Sequence, residues 1–273
     1  MNDIRKIAFI GAGNMTQSIV GGMCKSGYPA DHVFVSNPSP EKLETMKSNL
    51  GVNTSQDNIE VIEQADVIVL SVKPQLMEQV CADIKSKVSN LADKLIITIA
   101  AGIRMPKYRT YLGDDITIIR VMPNTPSLVG QGMSGLVTDS ADDKDKAYVT
   151  DVFDGVGDTL WVADEDQLDI LGAVAGSGPA YFFEFMDSLA KGAMELGFDP
   201  EKARAMVQQT CLGAAQMAKE SDLTLEDLRK QVTSKGGSTA KGVEVYQQRD
   251  LHNISADAVK AAVKRNQEMA DLF

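Results

Sequence analysis

Histidine, cysteine and tryptophan are scarce in this 273-residue chain, which carries two, three and one of them. Cys24, Cys81 and Cys211 stand far apart, with no Cys-x-x-Cys pair and no neighbouring histidine. That spacing argues against a disulfide framework or a zinc site and for buried thiols in a reducing compartment. Positive charge is also short: 27 Lys and Arg face 38 Asp and Glu, a net charge of −11. The deficit is shared, with 15 basic against 20 acidic residues before Ala163 and 12 against 18 from it onward. Neither half offers the basic face that a nucleic-acid backbone requires. Long apolar runs are missing too. Of the two longest charge-free stretches, 7–24 and 121–138, the second contains two prolines, Asn124 and Gln131, and is no membrane span. Residues 1–6 are polar and the apolar run after them ends in glycines, so no secretory signal is visible. A cytoplasmic protein without nucleic-acid, membrane or metal partners is expected.

What remains is ordinary globular composition, 44% apolar and 24% charged, in a length that suits two domains. Apolar runs at residues 6–10, 32–36, 67–72, 95–99 and 116–122 read as strands. Three of them, 67–72, 95–99 and 116–122, are almost continuously apolar, as strands of a parallel sheet covered on both faces must be. Between the first two, Met15, Ile19 and Met23 recur at helical spacing, and Gly27 offers a stop. Strand and helix alternate, which predicts a doubly wound α/β sheet of Rossmann type. Beyond Trp161 the character changes. From Gln167 onward no strand is expected, and segments 179–197, 200–220, 224–231, 238–249 and 255–271 read as helices, with Pro179, Pro200 and Thr224 as start signals. The expected division is a sheet domain over residues 1–161 and an all-α domain over 162–273.

The first strand runs into Gly11-Ala12-Gly13-Asn14-Met15-Thr16, which opens the first helix. Gly11 permits a tight turn, Gly13 lets the backbone approach a pyrophosphate, and the helix N-terminus supplies free N–H groups. Thr16 stands where this fingerprint has Gly or Ala. A lone glycine-rich turn is weak evidence, but this one has a second strand ending about 20 residues on, as the fingerprint expects. That strand ends in Ser36, Asn37, Pro38 and Ser39, with Lys42 one turn later and no acid to hold a ribose 2′-hydroxyl. The pattern favours NADP(H), with NAD(H) still usable. Three further strand ends share the edge where such sheets bind ligands: Val72-Lys73-Pro74, Ala100-Ala101-Gly102 and residues 123–126, Pro-Asn-Thr-Pro. Far along the chain, residues 232–239, Val-Thr-Ser-Lys-Gly-Gly-Ser-Thr, form a hydroxyl- and glycine-rich turn into a helix. It reads either as an elaborate helix cap or as a cradle for a small carboxylate.

These segments, taken in order along essentially the whole chain, resemble the Δ1-pyrroline-5-carboxylate reductase family. The resemblance rests on residues 9–15, 72–74, 100–102, 120–126, 176–181 and most specifically 232–239. Thr16 departs from the family's usual small residue, and Lys235 stands where many members carry Pro. The resemblance implies NAD(P)H-dependent reduction of a cyclic imine to L-proline. It implies that Gly11, Ala12, Gly13, Asn14, Met15, Ser36, Asn37, Asn58, Val72, Lys73, Pro74, Ala100, Ala101 and Gly102 line the cofactor site. Ser234, Gly237, Ser238 and Thr239 would hold the substrate carboxylate and ring nitrogen, with Asn124 beside them and Thr239 as the catalytic hydroxyl. It also implies a homodimer through the helical domain, assembled further into rings in many members. Asp164 would lie near the substrate mouth.

The chemistry suits these residues. A protonated iminium is already electrophilic, so positioning and exclusion of water are the main tasks. Neither His32 nor His252 lies near a motif, and surface or capping roles are expected for both. A β-hydroxyacid dehydrogenase would need a lysine acid/base, for which only Lys191 is available in the 179–197 helix. A non-catalytic NADPH sensor would have no use for the 232–239 turn. The acidic stretches 139–145 and 164–166 lack calcium-loop spacing and read as solvated faces. Tyr181 is expected to pack in the core.

Overall fold

The computed structural model describes residues 3–270 and Leu272. An eight-stranded sheet is built from β1 (Ile7–Ile10), β2 (Val33–Ser36), β3 (Asn53–Ser55), β4 (Val67–Leu70), β5 (Leu95–Thr98), β6 (Thr117–Met122), β7 (Gly132–Thr138) and β8 (Gly157–Trp161). Their order is β3-β2-β1-β4-β5-β6-β7-β8. The first six strands are parallel, β7 runs antiparallel to β6, and β8 is parallel to β7. The β6–β7 reversal has a simple cause. Residues 123–131 hold only a 3₁₀ turn at Thr125–Val129, too short for the crossover that a parallel pairing needs.

Every residue of β1 and β4 is buried, which requires helices on both faces. On one side pack α1 (Asn14–Lys25), α2 (Pro40–Leu50) and α6 (Asp143–Asp154), with Ile19, Met23, Met46 and Phe153 in the core. On the other lie α3 (Asn58–Glu63), α4 (Pro74–Lys87), α5 (Met105–Leu112) and α7 (Glu165–Leu171), contributing Ile62, Met77, Tyr108 and Leu168. The expected doubly wound architecture is therefore present. The five expected strands form within a residue or two of their predicted limits. β3 and β8 are short, partly polar edge strands, and β7 contains two glycines, so none carries the apolar run that marks the interior strands.

The α7 helix passes into a π turn at Gly172–Gly176 and then into α8 (Gly178–Glu195), α9 (Pro200–Glu220), α10 (Leu225–Gln231), α11 (Ser238–Gln248) and α12 (Leu251–Ala270). α12 starts four residues before its expected limit. Asp250, with φ +57°, breaks the chain after α11, and its carbonyl accepts the Ile254 N–H at 3.1 Å. The sheet ends at Trp161, where the sequence ends the sheet domain. The compact unit runs further, through Ser177, and takes back the residues from Ala262, while the second unit covers 178–261. The extension reflects packing of α7 and the π turn on β7, and a bond from Asn266 Nδ2 to the Asp169 carbonyl at 3.1 Å.

The second unit is built differently. Its only buried apolar residues are Ala203 and Val207, while Phe182, Phe183, Leu212 and Leu196 (90% exposed) face outward. Tyr181 is 38% exposed, so the expected core role is not what the fold gives it. Helices with this much bare apolar surface lack a core of their own.

Two adjacent glycines in α1 make a matched test of the sheet unit's packing. A Cβ on Gly22 would lie 2.2 Å from Val156 Cγ1 and 2.7 Å from the Gly155 carbonyl, whereas one on Gly21 would meet nothing within 4 Å. Gly21→Ala should stabilise by up to about 1 kcal/mol through helix propensity. Gly22→Ala should instead destabilise by about 2 kcal/mol from overpacking, lowering the melting midpoint by several degrees. Thermal melts check both; a rise for Gly22→Ala would contradict the close approach.

Candidate functional site

The strand order reverses between β1 and β4, and the turn after β1 sits at that reversal. Gly11 adopts φ +109°, and a Cβ there would lie 2.8 Å from the Ser71 carbonyl at the end of β4. The residue must be glycine for both reasons. Ser71 Oγ faces the carbonyls of Ile10 at 2.9 Å and Gly11 at 3.1 Å, and it accepts a bond from Thr16 Oγ1 at 3.0 Å. Thr16 is fully buried, so its hydroxyl ties the first turn of α1 to β4 at the place where the fingerprint has a bare glycine. Ser71 is the residue that sequence reasoning missed; its signal was a lone hydroxyl inside the apolar run 67–72.

The rest of the turn is held by β2. Gly11 N donates to the Ser36 carbonyl at 2.8 Å, and Ala12 N to Asn37 Oδ1 at 3.2 Å. Ser36 Oγ donates to Asn58 Oδ1 at 2.7 Å, joining the ends of β2 and α3. Ser36 is buried, so its hydroxyl shapes the edge from below, while Asn37 and Asn58 are half-buried there. Ser39 Oγ lies 2.6 Å from Glu41 Oε2, which lowers that carboxyl's pKa. This acid lies in the first turn of α2, beyond the end of β2.

Gly13 is the N-cap of α1, in extended backbone at φ −73°, with no side chain capping the helix. A Cβ on it would meet nothing within 4 Å. Free N–H groups, the positive end of the helix dipole and open space therefore coincide above Gly13, Asn14 and Met15. This fits a pyrophosphate. Lys73 caps α4 with Pro74 in its first turn, following half-buried Val72. On the next strand Ala100 is buried, Ala101 is half-buried, and Gly102 turns at φ +79°. The structure thus places all the expected cofactor residues along one carboxyl edge.

Asn124 has a structural task that the sequence does not announce. Its Nδ2 donates to the Ala175 carbonyl in the π turn at 2.9 Å, and its Oδ1 accepts the Met133 N–H at 2.9 Å. With 8% exposure and one bond at each end of its amide, it clamps two backbone segments. Asp164 likewise caps α7 by accepting the Gln167 N–H at 2.8 Å.

In the helical unit, Gly237 caps α11 with no side-chain cap, after Gly236 at φ +77°. Ser234 receives the Gly237 N–H on its carbonyl at 3.0 Å, and Ser234, Ser238 and Thr239 are exposed around the helix start. The turn leaves these hydroxyls and the helix N–H groups open, as an anion cradle does. Lys191 is paired to Asp187 at 2.5 Å, which raises its pKa, the opposite of what a lysine acid/base needs. The cysteines are free; burial pushes Cys81 up to about 12. Among the described residues no cluster could hold a metal ion, and no helix is long and apolar enough to cross a membrane.

The chain is similar to known proteins along nearly its whole length. Residues 165–269 match the pyrroline-5-carboxylate reductase dimerisation family, and residues 6–102 match the family described as NADP oxidoreductase, coenzyme F420-dependent. Pyrroline-5-carboxylate reductase from Vibrio alginolyticus is 44% identical, covering 98% of this chain and 99% of its own. The solved Coxiella burnetii pyrroline-5-carboxylate reductase superposes with a TM-score of 0.94 at 39% identity, covering 98% and 99% of the two chains. The Plasmodium falciparum pyrroline carboxylate reductase, solved with NADP bound, gives 0.84 at 31% identity, covering 97% and 98%. A chain 44% identical to one such reductase over 98% of its length belongs to the pyrroline-5-carboxylate reductase family.

Proposed function

We propose that this protein reduces the C=N bond of Δ1-pyrroline-5-carboxylate to give L-proline, as an NAD(P)H-dependent oxidoreductase acting on a CH–NH group in the cytoplasm. The observation that carries the reading is a pair of uncapped helix N-termini, each opening from glycine, at α1 and at α11. Two anions, a dinucleotide and a carboxylate, are what such a chain must hold. When bound, the reduced nicotinamide supplies the hydride.

Gly13, Asn14 and Met15 bind the pyrophosphate through backbone N–H groups and the α1 dipole, on a turn that Gly11 and Ala12 hold in place with their own N–H groups bonded to Ser36 and Asn37. Asn37 and Asn58 line the ribose end, with Ser36 holding Asn58 in place. Val72, Lys73, Pro74, Ala100, Ala101 and Gly102 flank the nicotinamide half. NADP(H) is preferred because β2 ends without an acid, with NAD(H) still usable. In the second unit, Ser234, Gly237 and Ser238 hold the substrate carboxylate, while Thr239 orients the ring nitrogen and passes a proton to or from it. A hydroxyl suffices for this because the iminium needs no strong acid. The helical unit's bare apolar faces point to a homodimer, with higher rings built from it.

Two measurements test this reading. Purified protein given L-proline at high pH with NADP⁺ or NAD⁺ should generate reduced cofactor, seen by its absorbance. No proline-dependent signal with either cofactor rejects the reading, and activity on a 3-hydroxy acid instead favours a β-hydroxyacid dehydrogenase. Thr239→Ala should lower kcat about tenfold or more through lost proton positioning, with KM little changed. Ser234→Ala should raise substrate KM about tenfold through a lost charge-assisted hydrogen bond, with kcat little changed. Unaltered kinetics in both variants would remove this loop from the site.

A further inference from the structure

Tyr108 is fully buried in the apolar cluster that covers one face of the sheet, its ring edge-on to Tyr111 at 6.4 Å. Packing alone would be served as well by phenylalanine, and burying a hydroxyl costs free energy unless it is bonded. The hydroxyl finds Thr98 Oγ1 at 2.5 Å, and Thr98, at the end of β5, is itself buried. The same Thr98 oxygen accepts the N–H of Ala100 at 3.3 Å. A line of contacts therefore runs from the middle of α5, through Thr98, to the first residue of the 100–102 turn. The α5 helix is anchored independently at its start. Met105 N donates to Glu165 Oε1 at 3.0 Å, Glu165 pairs with buried Arg120, and Arg104 pairs with Asp166 at 2.8 Å and Asp169 at 2.6 Å. Burial pushes the Tyr108 phenol pKa far up, so it stays a neutral hydroxyl in this line.

We infer that Tyr108 is a positioning residue for hydride transfer: its hydroxyl orients the Thr98 hydroxyl, and thereby sets the Ala100 N–H and the 100–102 turn against which the nicotinamide ring lies. The inference rests on the cofactor site proposed above. Tyr108 touches neither cofactor nor substrate in this account. It acts through Thr98, and its effect falls on the geometry of transfer more than on binding, since the pyrophosphate is held at the other end of the site.

A double-mutant cycle tests it with Tyr108→Phe, Thr98→Val and the pair, plus Thr98→Ser as the conservative variant. Each is assayed for L-proline oxidation, for the primary deuterium isotope effect and for thermal midpoint. The expected result is a kcat lowered about three- to tenfold in Tyr108→Phe and Thr98→Val, with cofactor KM within about twofold of wild type. The isotope effect rises in both. The double variant is no slower than the slower of the two single ones, because both break one line, and Thr98→Ser retains wild-type kcat. Should Tyr108→Phe fail to fold, Thr98→Val against Thr98→Ser carries the same comparison. Midpoints that fall while kcat and isotope effect stay at wild type would overturn the inference, as would additive losses. An inactive wild-type protein would instead defeat the parent reading.

Discussion

One contact orders the cofactor edge of this protein, the seating of the Gly11 backbone on Ser71. The approach is too close for any side chain on Gly11, and it joins the ends of β1 and β4 where the strand order reverses. Because that turn is pinned by β4 below and by Ser36 and Asn37 on the β2 side, α1 must start with its N–H groups facing outward. Thr16 completes the lock. In most such turns a bare glycine lets helix and strand approach; here a buried hydroxyl does the joining, trading close packing for a hydrogen bond.

Anion recognition by this acidic chain follows from the same arrangement. With a net charge of −11, the field of the whole molecule repels a dinucleotide and a carboxylate alike. Attraction has to be short-ranged, and on the proposed reading helix N-termini opened by Gly13 and Gly237 supply it without depending on a basic cluster. The two cradles sit on very different foundations. The first stands on a sheet with a core on each face, the second on helices that bury almost nothing apolar within the chain. Family membership in a group with a dimerisation domain gives that second surface its natural explanation.

The interior of the sheet was legible because burial on both faces leaves unbroken runs such as residues 67–70, and the helices were legible because Pro200 and Thr224 mark their starts. The edges were not. Asn53 to Ser55 pairs as a strand only because β2 lies beside it, and nothing in three polar residues announces that. The glycine turn and the 232–239 segment could be read as sites since each is contiguous. The clamp at Asn124 was not legible for the complementary reason: its partners, Met133 and Ala175, lie 9 and 51 residues away, and only the folded chain brings them to its amide. Thr98 and Tyr108 look like an ordinary strand end and an ordinary core aromatic until the fold brings their hydroxyls together.

The central claim is that the open N-terminus of α1 is where the cofactor's phosphates bind, and Gly13→Asp tests it most directly. Aspartate is a better N-cap than glycine by a few tenths of a kcal/mol, and there is room for it at a φ it readily adopts. The variant should therefore melt at or above the wild-type midpoint. With its carboxylate on the N–H groups that the pyrophosphate needs, its Kd for NADPH should rise by about two orders of magnitude. A variant that melts normally and still binds NADPH at wild-type affinity would contradict the account.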